Sequence, residues 1–328
     1  MKLSVVCPTY NSEKLLPRAL QAWVEQGFPK DEYEITIVDR NSEDKTQQTV
    51  KEFSEKHENV KLLISQPRTS TQRNNGVRSA KSDVILFFDD DSVPEKSHFE
   101  TGLKFLNENP HIAILGGPQV DSQHDGFFAK SAGAAMGSFF GSFTMAQRYK
   151  KTKTNLDADE FSLTSANVFV RKKVFDEIGG FDESIYPGED PEFFARAKKN
   201  GVRMAFSPEI AVQHSRRPNL KLFCKQHYKY GYNRVLKEKI SKSSFLNNIL
   251  FSIPSLFLIY ILLLPVLAIL SFKLLIPIAL YGFFALAFAF PAGLEKKLPL
   301  AIPIIPFLFF AMHASYGAGF LMAMLKLR

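Results

Sequence analysis

The sequence predicts an α/β domain with a mostly parallel sheet, followed by C-terminal transmembrane helices. Two observations carry this. Short apolar runs alternate with polar, helix-length segments up to about residue 240, the pattern of strands joined by crossover helices. Beyond residue 245 the composition turns to Leu, Ile, Phe, Ala and Pro, in three stretches long enough to cross a bilayer. Three parts follow: an α/β domain at 1–218, a basic and aromatic helix at 219–244, and a membrane domain at 245–328.

The charge and cysteine content narrow the class. A formal net charge of +8 admits nucleic acid as a partner, but the positive residues gather at 221–242, just before the apolar region. That placement favours an anionic membrane surface, so membrane lipids are expected as partners and nucleic acid is not. Cys7 and Cys224 have neither metal-type spacing nor the numbers of a disulfide framework. The first ten residues lack the apolar core of a signal peptide, so the α/β domain is expected on the cytosolic face.

Taken in order, residues 3–7 form an apolar strand, Pro8, Thr9, Tyr10 and Asn11 a turn, and 12–26 a helix. Residues 33–39 repeat the strand and stop at Asp39, after which Asn41 and Ser42 can cap a helix to His57. A third strand at 60–64 precedes a polar helix at 70–80 that carries Arg73. The fourth strand, 84–88, runs straight into Asp89, Asp90 and Asp91. Three adjacent carboxylates repel unless a cation is present, and oxygen ligands of this kind suit Mg²⁺ or Mn²⁺ bridging a phosphate. The plainer alternative is an acidic turn capping the next helix. Ligands of such sheets bind beyond the carboxyl ends of the strands. Pro8 to Asn11, Asp39 and Asp89 to Asp91 all fall there; Asp39 can accept from a base or ribose, and Arg73 can pair with phosphate or a base carbonyl.

A strand is expected at 112–116, and 127–149, rich in Gly, Ala, Ser and Phe, reads either as a functional loop or as a small-residue helix. A strand at 166–170 and a helix at 172–178 lead to Gly188, Glu189, Asp190 and Pro191, two carboxylates opening a helix that runs to about residue 200. These acids could simply complement the helix dipole. Beside the first cluster they read as catalytic, one cluster holding a metal diphosphate while a separate carboxylate removes a proton. A strand at 210–214 ends at His214, a candidate phosphate or metal contact or a structural histidine. Residues 220–239 interleave aromatic and basic side chains, as an interfacial helix does, and as single-stranded nucleic-acid binders also do. Spans are expected at 249–270, 274–294 and 298–325. The basic segment before the first span, and Lys296 with Lys297 after the second, put both on the cytosolic side of a multi-pass cell-membrane protein. His313 inside the third span reads as a helix–helix hydrogen bond or a ligand.

These residues resemble family 2 glycosyltransferases of the GT-A type over residues 1–234. The likeness rests on Cys7 to Asn11, Val38-Asp39, Gln72 to Gly76, Asp89 to Asp91 and Gly188 to Asp190, five motifs in order. It implies an inverting, metal-dependent enzyme using a nucleotide-diphosphate sugar. Asp39 and Arg73 would contact the base, Asp89 the nucleotide and Asp91 the Mn²⁺ or Mg²⁺, with Asp190 as general base. Arg40 and Asn41 depart from the acid and glycine common after the second strand. The segments 223–234 and 313–320 are similar to membrane-bound members that build succinoglycan-type or other lipid-linked glycans. A hydroxyl on a polyprenyl- or dolichyl-linked glycan is then the expected acceptor. The rivals are a polyprenyl- or dolichyl-phosphate sugar synthase and a non-catalytic nucleotide-sugar-binding scaffold.

Overall fold

A computed structural model describes residues 1–185, 188–241 and 245–326, with 236–241 and 245–248 by backbone alone. The chain opens with three strand–helix units and a fourth strand: β1 (Leu3–Thr9), α1 (Leu16–Val24), β2 (Tyr33–Asp39), α2 (Thr46–Lys56), β3 (Val60–Ile64), α3 (Thr69–Ser79) and β4 (Val84–Phe88). It continues through β5 (Val93–Pro94), α4 (His98–Glu108), β6 (Ile114–Gly116), β7 (Gln119–Asp121), α5 (Phe127–Met136) and α6 (Phe139–Ser142). Then come β8 (Asn167–Arg171), α7 (Lys173–Ile178), α8 (Glu189–Lys199), β9 (Met204–Phe206) and β10 (Val212–His214). Four helices close the chain: α9 (Leu220–Ser241), α10 (Phe245–Leu270), α11 (Ile276–Glu295) and α12 (Ile305–Lys326). It divides into two compact units, Met1–Ser122 with Gln147–Ser215, and Gln123–Ala146 with Arg216–Arg328.

The first unit is built on a seven-stranded sheet in the order β3-β2-β1-β4-β8-β6-β9. Its pairings are parallel except that β8 runs antiparallel to both β4 and β6. β1 and β2 are buried along their whole length, as strands covered on both faces must be. Pro8 is tolerated inside β1 because the pairing with β4 ends at Val6, leaving no ladder bond there for its missing N–H. Alternation sends Phe88 to one face, where it stacks on Trp23 at 5.3 Å, and Phe87 to the other, 5.5 Å from Phe181. A second sheet, β5-β10-β7, lies in the same unit.

β2, β3 and β4 occupy the residues expected of them. The first two helices start later than expected, at Leu16 and Thr46, because Ser12, Ser42, Asp44 and Thr46 are spent on bonds that fix the loops. The expected strand at 210–214 shortens to β10, since Pro208–Ile210 forms a 3-10 turn. β5, β7 and β9 had no counterpart in the sequence reading, and α4 figured only as the helix, given no bounds, after the acidic turn. The small-residue stretch is helical, as α5, α6 and a 3-10 turn.

The second unit contains three helices long and apolar enough to cross a membrane, over Ile249–Leu270, Phe272–Glu295 and Ile305–Lys326. α9 and α12 meet backbone to backbone. A Cβ on Gly231 would lie 2.0 Å from the Tyr316 carbonyl oxygen, and one on Gly319 the same distance from that of Tyr228. α9 buries Phe223, His227 and Gly231, four residues apart, and exposes Lys221, Lys225 and Lys229. His313 makes a helix–helix contact, its Nδ1 lying 2.9 Å from the Tyr281 hydroxyl.

Candidate active site

The carboxyl ends of β1, β2 and β4 bring the first group of residues together. Asn11, in the left-handed region at φ +50°, accepts from Glu43 N–H at 2.9 Å while its own N–H donates to Ser42 Oγ at 2.8 Å. Ser12 N–H donates to Thr46 Oγ1 at 2.7 Å and Glu13 N–H to Asp44 at 3.1 Å, so the loops after β1 and β2 are fastened to one another. The Asp39 carboxylate is wholly buried and accepts from Ser42 N–H at 2.8 Å and Gln47 Nε2 at 2.9 Å. Beside it Arg40 lies over the exposed Tyr10 ring, 3.8 Å from its centroid. Pro8 is buried within β1 itself.

The acidic turn after β4 is held from beneath. Trp23 Nε1 donates to the Ser92 carbonyl at 2.9 Å, and Ser92 Oγ donates to the Ala166 carbonyl at 3.0 Å. Thr9, next to β4 through the sheet order, donates its hydroxyl to Asp90 at 2.8 Å. Burial, opposed by that bond and reinforced by the charges of Asp91 and Asp89, pushes Asp90 up to about 6. Burial raises Asp89 too, but the His214 hydrogen bond and the Arg73 charge outweigh it and hold the carboxyl below its usual value.

β10 carries His214 to the turn. Its Nε2 is 3.2 Å from Asp91 Oδ1 and 3.8 Å from Asp89 Oδ2. Its Nδ1 faces the Ser215 carbonyl at 3.2 Å, which can only accept, a contact that favours the tautomer with the proton on Nδ1. Nε2 therefore presents two carboxylates with either a second proton or a lone pair that shares a cation with them. Among the described residues no group of three or more His, Cys, Asp or Glu side chains is disposed as it stands to hold a metal ion.

The second acidic pair arrives from the other half of the chain. Arg73 is buried on α3 and donates to Glu189 Oε1 at 2.7 Å and to Asp89 Oδ1 at 3.3 Å. Burial disfavours its charge, but Glu189, Asp89 and Asp190 outweigh this and raise its pKa. Burial likewise raises Glu189, which the Arg73 charge opposes and the Asp190 charge reinforces. Asp190, the second residue of α8, accepts from Ser165 N–H at 3.4 Å. Sequence reasoning named Arg73 and Glu189 separately and did not pair them; nor did it assign Thr9, Ser92 or Ser165, small polar residues that only the strand order marks out.

The fold has relatives of known structure. A Pyrobaculum calidifontis mannosyltransferase, solved with GDP-mannose and Mn²⁺, matches all of this chain and 88% of its own with a TM-score of 0.59 at 17% identity. Staphylococcus aureus TarS in complex with UDP matches 99% of this chain and 92% of its own, TM-score 0.52 at 19% identity. These likenesses show a GT-A fold. In sequence, a Methanococcus voltae dolichyl N-acetyl-α-D-glucosaminyl phosphate 3-β-D-2,3-diacetamido-2,3-dideoxy-β-D-glucuronosyltransferase is 28% identical across 99% of this chain and 97% of its own. The glycosyltransferase AglE of Haloferax volcanii is 27% identical across 71% of this chain and 73% of its own. The profile of glycosyl transferase family 2 matches residues 4–179, more than half of the length. The chain belongs to glycosyl transferase family 2.

Proposed function

We propose that this glycosyltransferase is membrane-anchored, takes a nucleotide-diphosphate sugar as donor, and transfers the sugar with inversion to a hydroxyl of a polyprenyl- or dolichyl-linked glycan. The observation that carries the reading is the convergence of Asp89, Asp91 and His214 beside an Arg73–Glu189 pair, with Asp190 at the start of α8. The donor class accords with the nucleotide and nucleotide-sugar complexes of the structural relatives. The acceptor class accords with the name of the Methanococcus relative. The three apolar helices and the exposed lysines of α9 support anchoring in the cell membrane with the catalytic unit on the cytosolic face.

Tyr10, Asn11, Arg73, Asp89 and Asp90 line the nucleotide site in this reading, while the buried Pro8 and Asp39 support it from beneath and the fastened loops give it a fixed floor. By donor chemistry Asp89, Asp91 and His214 are the residues that would hold a Mn²⁺ or Mg²⁺ ion, two hard oxygen donors and an imidazole, although they are not arranged as a ready metal site as they stand. Bound there, the ion offsets the charge that grows on the departing diphosphate. Arg73 neutralises the buried Glu189 and lowers the negative potential around Asp190. Asp190 takes the proton of the acceptor hydroxyl, which attacks the anomeric carbon opposite the leaving group, and a single in-line displacement inverts the configuration.

The test is transfer by the full chain in lipid, with a panel of UDP- and GDP-sugars, Mn²⁺ or Mg²⁺, and polyprenyl- or dolichyl-linked acceptors. Metal-dependent transfer that is lost in both Asp91→Asn and Asp190→Asn supports the reading. Activity retained in Asp190→Asn would instead indicate a lipid-phosphate acceptor that needs no proton removed. Donor binding without transfer would indicate a scaffold.

A further inference from the structure

After α7 the chain leads toward Glu189 and Asp190, and α3 grips its Phe181 and Glu183. Asn74, 8% exposed, spends its whole amide there. Its Oδ1 accepts from Phe181 N–H at 2.9 Å, and its Nδ2 donates to the Phe181 carbonyl at 2.8 Å and to Glu183 Oε1 at 2.9 Å. One turn earlier Thr71 donates to Glu183 Oε2 at 2.9 Å, and Arg68 donates to the Glu183 carbonyl. Arg68 holds φ at +109°, a strained value for a residue with a side chain, and such strain persists where surrounding contacts impose it. The fit is close: a Cβ on Gly180 would lie 2.5 Å from Asn74 Oδ1. From the far side Arg196 of α8 donates to the Gly180 carbonyl at 2.8 Å.

Resting on the catalytic reading above, we infer that Asn74 is a positioning residue, fixing Gly180 and Phe181 and, through the Arg196 bond to the Gly180 carbonyl, α8, so that Asp190 stands where it can take the acceptor's proton. Asp190 has a long 3.4 Å contact from Ser165 N–H, so its place depends on the backbone that carries it. That backbone is tied to α3 twice, by Arg73 through Glu189, and by Asn74 through Phe181 and the neighbouring Gly180 carbonyl, which Arg196 of α8 holds. The two residues are adjacent, and the helix that balances the charge of the second acidic pair also fixes its position. A merely cohesive contact would be served by an apolar side chain, whereas three directed bonds from one amide define an angle as well as a distance.

The test compares wild type, Asn74→Ala, Asn74→Asp, Asn74→Asp/Glu183→Gln and Asp190→Asn in the full chain in lipid, measuring kcat, donor KM and the unfolding midpoint. A misplaced base costs turnover and leaves donor binding intact, so Asn74→Ala is expected to lose roughly 10- to 100-fold in kcat with donor KM within about twofold, while folded at the assay temperature. Asn74→Asp sets a carboxylate against Glu183 and should lose as much. In the double variant the new amide at 183 can donate to the carboxylate at 74, but the Phe181 carbonyl still faces a carboxylate, so the double variant should stay at or below Asn74→Ala in kcat. A folded Asn74→Ala with wild-type kcat, a loss confined to KM, or a double variant as active as wild type would overturn the inference. Wild-type transfer that survives Asp190→Asn would overturn the catalytic reading and this inference with it. Transfer lost in Asp190→Asn but kept in Asn74→Ala would overturn this inference alone.

Discussion

Replacing Arg73 with Met keeps the volume and removes the charge from between two acids. The pair with Glu189 is the costly one to break, because both side chains are nearly sealed, 6% and 8% exposed. Removing one partner of such a pair costs about 3–5 kcal/mol, since the other charge is left buried and unpaired. The Asp89 arm is longer, at 3.3 Å, and that carboxylate is 35% exposed, so solvent takes over much of its role and it adds little. At about 2–4 °C per kcal/mol for a unit of this size, the unfolding midpoint should fall by roughly 6–20 °C.

The pH dependence follows from Glu189. Without Arg73, burial and Asp190 push its folded-state pKa further above the unfolded value of about 4.3. A raised carboxyl contributes stability that is present below the unfolded pKa and lost as pH rises through the folded one. The penalty of Arg73→Met should therefore be larger at pH 8 than at pH 5, where Glu189 can take up a proton. The single tryptophan of the chain reports it: Trp23 stacks on Phe88 and bonds the Ser92 carbonyl beneath the acidic turn, so its fluorescence follows this region as it unfolds. A loss below about 3 °C, or an equal loss at pH 5 and pH 8, would refute the buried-pair argument.

The same tryptophan should register Mn²⁺ added with nucleotide by a saturable fluorescence change in wild type, and Asp91→Asn or His214→Ala should weaken that response by roughly tenfold or more. His98 is buried between Phe88 and Phe169, and burial, which outweighs its bonds to Asn167 and the Ile210 carbonyl, depresses it to about 4. Its depressed pKa means stability present above the unfolded value of about 6.5 and lost as pH falls through 4, about 3 kcal/mol in all; His98→Gln should flatten that part of a midpoint-versus-pH curve. In the second unit, Gly319→Val should lower the melting temperature in detergent by many degrees, because its Cβ would meet the Tyr228 carbonyl at 2.0 Å. Gly282→Ala, with nothing within 4 Å of the added carbon, should be neutral or stabilising by up to about 1 kcal/mol.

The first half of the sheet was legible because each strand is an apolar run stopped by a turn or an acid, which is how 33–39, 60–64 and 84–88 could be bounded to the residue. Strand order and direction were not, since nothing in 167–171 says that it runs antiparallel between β4 and β6. β5 and β7 have two and three residues, too few to show a period of two, whereas their partner β10 was expected, as a longer strand at 210–214. They are nevertheless what carries His214 to Asp89 and Asp91. α9 hid its packing for another reason: the stripe it buries is Phe223, His227 and Gly231, and a histidine and a glycine carry no apolar signature although the glycine makes the closest approach.

Charge explains the split between what could and could not be read at the site. Three consecutive carboxylates announce in sequence that a compensating cation is required, because their repulsion is local. Which cation meets which acid is set by the fold. Arg73 lies 16 residues from Asp89 and 116 from Glu189, and it bonds the distant acid at 2.7 Å and the nearer at 3.3 Å. The order of those distances matches the order of burial, the sealed Glu189 taking the tighter bond and the part-exposed Asp89 the looser. Asp89 can accept that looser bond because it has His214 on its other side. A site assembled in this way divides its neutralisation, with Arg73 committed to the acid beside Asp190, and His214 left to the acidic turn after β4.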